Sequence, residues 1–256
     1  MTESIKLCFH ITHRNWMVYK KDFIANISPT LADPAFYILS LGLGLGTYVA
    51  NISGHSYVEF MAPGMTVTTA LFTSFFETSY GFYVRMTYEN IYKAMLTTPI
   101  GVREIVMGEF IWVSLKGAVM ALGVSLVLAL FGLMKAPFLI LLMPAVGLLL
   151  ALPCGAMGLM ASAMVRNINQ FQTVYSFMIA PLFFFSGVFF PMEQSPHWVQ
   201  YICYAFPIAH AVRLAQAVFW SQEIVRTFCI HGSILLLQSF ILCWVAYKKV
   251  IKKLTF

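Results

Sequence analysis

Three ionisable residues stand where apolar sequence would bury them: Glu77, Glu109 and Lys116. Glu77 lies in the run 59–84 and the other two in the run 105–131, each long enough to cross a bilayer. At ~1.5 Å per helical residue, Glu77 lies roughly 12 Å below Arg85 at the inner surface, and Lys116 roughly 16 Å below Ile105. Both depths fall well inside a hydrocarbon layer about 30 Å thick. A lone charge there costs at least about 2.5 kcal/mol on insertion scales, so Lys116 is expected to pair with Glu77 or Glu109. Such a pair can bridge two helices, act as a gate or proton-linked site, or touch a transported molecule directly. On the bridge reading, exchanging the charges of Glu77 and Lys116 restores a protein level that either single reversal lowers. Around Glu77 the run is rich in hydroxyls: Thr66, Thr68, Thr69, Thr73, Ser74, Thr78 and Ser79. They either bond back to their own helix or line a polar path.

Other chemistries do not assemble. No G-x-x-x-x-G-K-[ST] occurs, so the chain cradles no nucleotide by that route. The histidines, His10, His13, His55, His197, His210 and His231, show no metal spacing, and His10 and His13 have no carboxylate beside them. Ser186-Gly187 is not a nucleophile elbow. The 5 cysteines are widely spaced, with neither a metal pattern nor a disulfide framework, and read as small apolar residues of packed helices. The expectation is a chain with no catalytic, cofactor or metal residue.

Composition sets the solvent these residues meet. The chain is 60% hydrophobic and 10% charged, against about 25% charged in soluble domains. That argues for an all-α polytopic membrane protein. The net charge of +6 does not imply nucleic acid, because the basic residues lie in loops and ends rather than on one face.

The expected organisation is a single transmembrane domain over 1–256. An amphipathic, aromatic helix at 4–27 lies in the membrane interface, or else packs on a partner, and Asp33-Pro34 ends it. Six spans follow at 35–50, 59–84, 105–131, 137–165, 170–190 and 227–247. Small-residue stripes at Gly42/Gly46 and Gly147/Ala151/Gly155 allow close helix contact in lipid. Prolines 191, 196 and 207 and many aromatics make 191–226 a pair of short re-entrant helices in the outer leaflet. No cleavable signal is visible, so the first span is an internal anchor. Most lysines and arginines fall on one side, while only Lys135, Arg213 and Arg226 fall on the other, which puts both termini in the cytoplasm.

Between the second and third spans, residues 87–101 form a polar island with Tyr88, Ile91, Met95 and Leu96 at helical spacing, closed by Pro99 and Gly101. A short helix with an apolar stripe at the membrane face needs something to press against. The expected object is a soluble partner.

This layout resembles the ABC-2 class of exporter permeases and, within it, the nodulation protein J branch. The likeness runs through APGM (62–65), FET (76–78), Arg85-Met86, KAML (93–96), Gly108-Glu109, Lys116, FFSGVFFP (184–191) and FPIAH (206–210). The island lacks the EAA-G signature of importer permeases, which favours export. The resemblance implies a homodimer in the bacterial inner membrane, working with two copies of a separate ATPase that holds ATP and magnesium. The island becomes the coupling helix, with Tyr88, Glu89, Tyr92, Lys93, Met95 and Leu96 contacting the ATPase. The substrate path is expected at the dimer interface along Thr69, Thr73, Phe183, Phe184 and Phe185, although packing against lipid also accounts for the phenylalanines. Nodulation-type members are implicated in exporting lipid-linked chito-oligosaccharides, and relatives move polysaccharides, lipids or drugs. Two readings from other classes are a proton-coupled secondary transporter using Glu77 and a non-transporting membrane anchor for a soluble ATPase.

Overall fold

A computed structural model describes residues 2–44, 46, 48–49, 51–52 and 54–255, with the backbone alone at 2, 29, 30, 43 and 255. Leu45, Thr47 and Ala50 of the expected first span and Ser53 of its outer turn lie outside the described residues. The described chain is helical, with no strand among those residues.

The first two helices, α1 (Thr2–Lys21) and α2 (Phe23–Leu43), meet at Asp22, where the backbone turns to φ −117, ψ 38. The break therefore comes before Asp33-Pro34, not at it. The Asp22 carbonyl accepts from Asn26 N at 2.9 Å and starts α2, which then carries Pro34 in its interior. A proline removes one donor and its ring crowds the preceding turn, a defect that membrane helices tolerate where neighbours serve the freed carbonyl. α1 seats on the chain at Gly108. Ile11 is buried, the Thr12 hydroxyl donates to Gly108 O at 3.1 Å, and a Cβ on Gly108 would lie 2.7 Å from Ile11.

The helix α3 (Tyr57–Phe76) opens on a capping box, in which the Ser56 hydroxyl accepts from Glu59 N and the Glu59 carboxylate accepts from Ser56 N. It runs through a π turn (Glu77–Gly81) into α4 (Phe82–Thr87). Asn90, at φ 52, reverses the chain into α5 (Ile91–Met95), only 5 residues long. Then come α6 (Val102–Leu130) and α7 (Met143–Met164), the latter entered through a 3₁₀ turn at Pro137–Leu142. The helix α8 (Gln170–Val174), a π turn (Tyr175–Ile179) and α9 (Ala180–Phe184) form one run. Beyond it, Gly187 takes φ +84 and the path is irregular. The helices α10 (His197–Tyr204) and α11 (Pro207–Trp220) are bent by 91° at their junction. Finally α12 (Ile224–Thr227), a π turn (Phe228–Gly232) and α13 (Ser233–Thr255) make the closing helix.

Among the described residues, three helices are long and apolar enough to cross a membrane: Val102–Leu130, Pro137–Met164 and Ile224–Leu254. The bent α10–α11 pair makes a fourth if counted as one span. The expected spans 59–84 and 170–190 are not among them, and 35–50 lies partly outside the described residues. The α8–α9 run measures about 22 Å at ~1.5 Å per residue, short of the full hydrocarbon layer. The α3–α4 run is diluted by its hydroxyls and by Glu59, Glu77 and Arg85.

α7 is the central helix and packs against α3, α6, α11 and α13. Its small residues set the approach. A Cβ on Gly147 would fall 2.5 Å from Gly117 O, and one on Gly155 would fall 2.8 Å from Val113. Gly158 sits against the Phe75 carbonyl, so α7 also clamps the start of the π turn that carries Glu77.

Candidate functional site

The charged residues are gathered by the π turn. Two turns of α-helix take ~7.2 residues, and a π turn inserts one more. Glu77 and Arg85, separated by 8 positions, therefore come onto one face, and Arg85 reaches back into the bundle instead of lying at its surface. Its guanidinium is the hub. Nη1 donates to Glu77 Oε1 at 2.8 Å, Nη2 to Glu109 Oε2 at 2.9 Å, and Nε to the Tyr92 hydroxyl at 2.9 Å. Lys116 Nζ donates to Glu77 Oε2 at 2.6 Å and lies 4.8 Å from the centre of the Tyr19 ring. Tyr92 donates to Glu109 Oε1 at 2.8 Å, and Asn15 Nδ2 donates to the same oxygen at 3.1 Å.

Five segments thus meet in one chain of contacts: α1, the π turn, α4, α5 and α6. Two carboxylates balance two cations, and every carboxylate oxygen has a donor. Buried charge is tolerable only under those conditions. Glu109 is fully buried, whereas Glu77, Lys116 and Arg85 keep 14%, 14% and 16% of their side chains open.

Those three open residues contribute to a cavity of about 590 Å³. Its other walls include Thr68, Thr69, Phe72, Thr73 and Phe76 of α3, Asp33 and Tyr37 of α2, and Tyr175 and Phe183. The expected path residues Thr69, Thr73 and Phe183 are brought together here. Phe184 and Phe185 are not: they stand 55% and 50% exposed outside it, and Phe185 lines a separate apolar pocket. Thr66, Thr68, Thr69, Ser74 and Thr78 each bond back to their own helix, while Thr68, Thr69 and Thr73 also line the cavity. The site holds hydroxyls, aromatic rings and a balanced ion cluster. Among the described residues no three His, Cys, Asp or Glu side chains converge as a metal would require.

Of the two carboxylates expected for Lys116, Glu77 is the one it pairs with, while Glu109 is held by Arg85, Tyr92 and Asn15. One expectation needs correction. Tyr92 is not on the partner-facing surface, because its side chain is fully buried, stacked on Phe82 at 4.5 Å and bound to Glu109. Tyr88, Glu89 and Lys93 are exposed, whereas Met95 and Leu96 are half-buried against the core. Asn15 and the inward turn of Arg85 escaped sequence reading, although the spacing of Glu77 and Arg85 was visible. The π turn between them brings the two positions into line.

The profile of a family described as "ABC-2 type transporter" matches residues 6–220. The chain belongs to the ABC-2 type transporter family. It is 32% identical over 225 residues to "Nodulation protein J" of Rhizobium leguminosarum bv. viciae, covering 88% of this chain and 86% of the relative. It is 30% identical over 216 residues to "Nodulation protein J" of Rhizobium meliloti (strain 1021), covering 84% and 82%. "Inner membrane transport permease YadH" of Escherichia coli (strain K12) is 20% identical over 231 residues, covering 88% of each chain.

This ABC-2 chain is a transport membrane subunit, and permeases of its family work with an ABC ATPase. Its ion cluster also changes the outcome of a charge exchange. Because Arg85 shares Glu77, the double variant Glu77→Lys/Lys116→Glu places a lysine beside a guanidinium. Like charges at that distance repel, so the exchange is expected not to rescue the protein level lost in the single reversals. Recovery to the parent level on immunoblots of membranes would show that Arg85 does not depend on Glu77.

Proposed function

We propose that this chain is the membrane-spanning subunit of an ATP-driven exporter that moves an amphipathic or lipid-linked molecule out of the cytoplasm or inner leaflet. In this reading it acts as a homodimer in the bacterial cytoplasmic membrane, with six spans, both ends in the cytoplasm and two copies of an ABC ATPase beneath it. The candidate cargoes are lipo-oligosaccharides, polysaccharides, lipids or drugs, and the cavity offers hydroxyls to a polar head and rings to an apolar tail.

The observation that supports it best is the continuity from α5 to the cavity. Tyr92 on α5 bonds Glu109 and Arg85, Arg85 bonds Glu77, and Glu77 bonds Lys116 in the cavity wall. A short cytosol-facing lever with one buried tyrosine, pushed by the ATPase, shifts this cluster as a unit. The mechanism needs no reactive side chain, since ATP hydrolysis takes place on the partner. A proton-carrier role for Glu77 is poorly supported, because both of its oxygens already accept from cations.

Lys93→Glu tests the lever. Lys93 is exposed on α5 and its reversal leaves the buried cluster intact. In proteoliposomes holding the permease and its ATPase, export of a labelled N-acylated chito-oligosaccharide is expected to fall about tenfold or more, within the range of a 1–3 kcal/mol coupling loss. Membrane insertion should be unchanged. Leu96→Asp should do the same at some cost in stability, since Leu96 packs on the core. Export at the parent rate by Lys93→Glu would remove α5 from the coupling route. Co-purification of ATPase without ATP-dependent flux in the parent protein would favour the anchor reading.

A further inference from the structure

On the opposite side of the α8–α9 run from the cavity lies an apolar groove of about 620 Å³. Tyr175 and Phe183 face the cavity, whereas Phe177 and Met178 line the groove. Its other walls include Met157, Met160 and Met164 of α7, Phe206 at the α10–α11 junction and Ile241 of α13. Phe177 and Met164 form open lips, 82% and 63% exposed. Methionine side chains are unbranched and adaptable, and they suit a flexible, variable apolar guest.

The groove has a charged end. Lys249 Nζ lies 3.2 Å from Met164 Sδ and Lys253 Nζ lies 3.4 Å from the Val165 carbonyl. Arg166 follows directly and is exposed. A thioether is a weak acceptor and a carbonyl carries no net charge, and among the described residues neither lysine has a carboxylate within ion-pair distance. Lys249 and Lys253, one helical turn apart, share a face. Lys248 stacks on Trp244 at 3.7 Å, the pairing expected where a helix leaves the hydrocarbon. From Lys249 to Gln238, at the far part of the groove, the helix rises about 16 Å at ~1.5 Å per residue. That is close to half of the ~30 Å hydrocarbon layer, the reach of one acyl chain in one leaflet.

We infer that this groove is a binding site for an anionic phospholipid, with an acyl chain between α7, the α8–α9 run and α13 and its phosphate held by Lys249, Lys253 and Arg166. The site is separate from the cargo cavity and does not depend on what the cavity transports.

Native mass spectrometry of the full-length protein in detergent, with phosphatidylglycerol and phosphatidylcholine added in equal amounts, tests it. Phosphatidylglycerol adducts are expected to survive activation preferentially. The preference should drop by about fivefold for each of Lys249→Gln and Lys253→Gln, as expected for lysines at an anionic lipid surface. Met160→Trp, which fills the groove, should reduce retention of both lipids. Equal retention of the two lipids by the parent protein, or an unchanged preference in the double lysine variant, would overturn the site. Should Met160→Trp fail to fold, the surface lysine variants still decide. A disulfide between two copies carrying Phe177→Cys in native membranes would assign the groove to a second copy of the chain and likewise defeat the lipid site.

Discussion

Alanine in place of Arg85 is expected to cost about 3–5 kcal/mol, the usual effect of removing one partner from a buried ion pair. The reason is specific to this cluster. Arg85 serves Glu77, Glu109 and Tyr92 at once, and Glu109 has no exposure to water. Without the guanidinium, Glu109 keeps only the neutral donors Tyr92 and Asn15, and Glu77 keeps only Lys116. Fluorescence-detected size exclusion in mild detergent should show loss of the monodisperse peak, or a lowered thermal midpoint. Arg85→Lys should recover little, because one ammonium cannot reproduce a fork that reaches two carboxylates and a hydroxyl. The double variant Arg85→Ala/Glu109→Gln should recover part of the loss, since it removes the orphaned charge together with its partner. A parent-like melting midpoint for Arg85→Ala would mean that the cluster contributes nothing to holding α4 and α6 together.

Tyr92→Phe is the second large effect, and it falls on function rather than folding. The substitution removes one oxygen and keeps the ring that stacks on Phe82. It leaves one guanidinium N–H without its acceptor and takes one of two donors from Glu109 Oε1. The stability loss should stay within about 1–3 kcal/mol, the cost of an unsatisfied buried polar group, and the protein should still insert. The variant also cuts the hydroxyl link between α5 and the rest of the cluster. If force passes that way, export in the reconstituted complex should fall by ~5–150-fold, the span of a typical coupling energy. ATP hydrolysis by the partner should continue. Lys93→Glu, by contrast, alters the surface offered to the ATPase and should also weaken complex formation. Parent-rate export by Tyr92→Phe, with intact ATPase binding, would place the coupling elsewhere.

Much of this protein was legible without coordinates, because membrane solvation is written in composition. Sparse charge, long apolar runs and the small-residue stripe of α7 follow from residue type and order alone. So did the need for Lys116 to find a carboxylate, since a lone ammonium in hydrocarbon is too costly. Family membership was readable for the same reason: its motifs are local. The partners within the cluster were not. Glu77 meets Arg85 because a π turn adds a residue to the helix between them and brings into line two positions that a regular helix leaves ~80° apart. Tyr92 entered the expected ATPase contact through the family resemblance, which takes the island as a whole. Tyr92 is buried because α5 folds back against α4, where its ring stacks on Phe82, and its hydroxyl reaches Glu109 of α6. Sequence alone established that Glu77, Glu109 and Lys116 must be neutralised, because desolvation is a property of each group. Which partners neutralise them was decided by tertiary structure, because ion pairs form between atoms a few ångströms apart, and only the packing of α1, α4, α5 and α6 sets those distances.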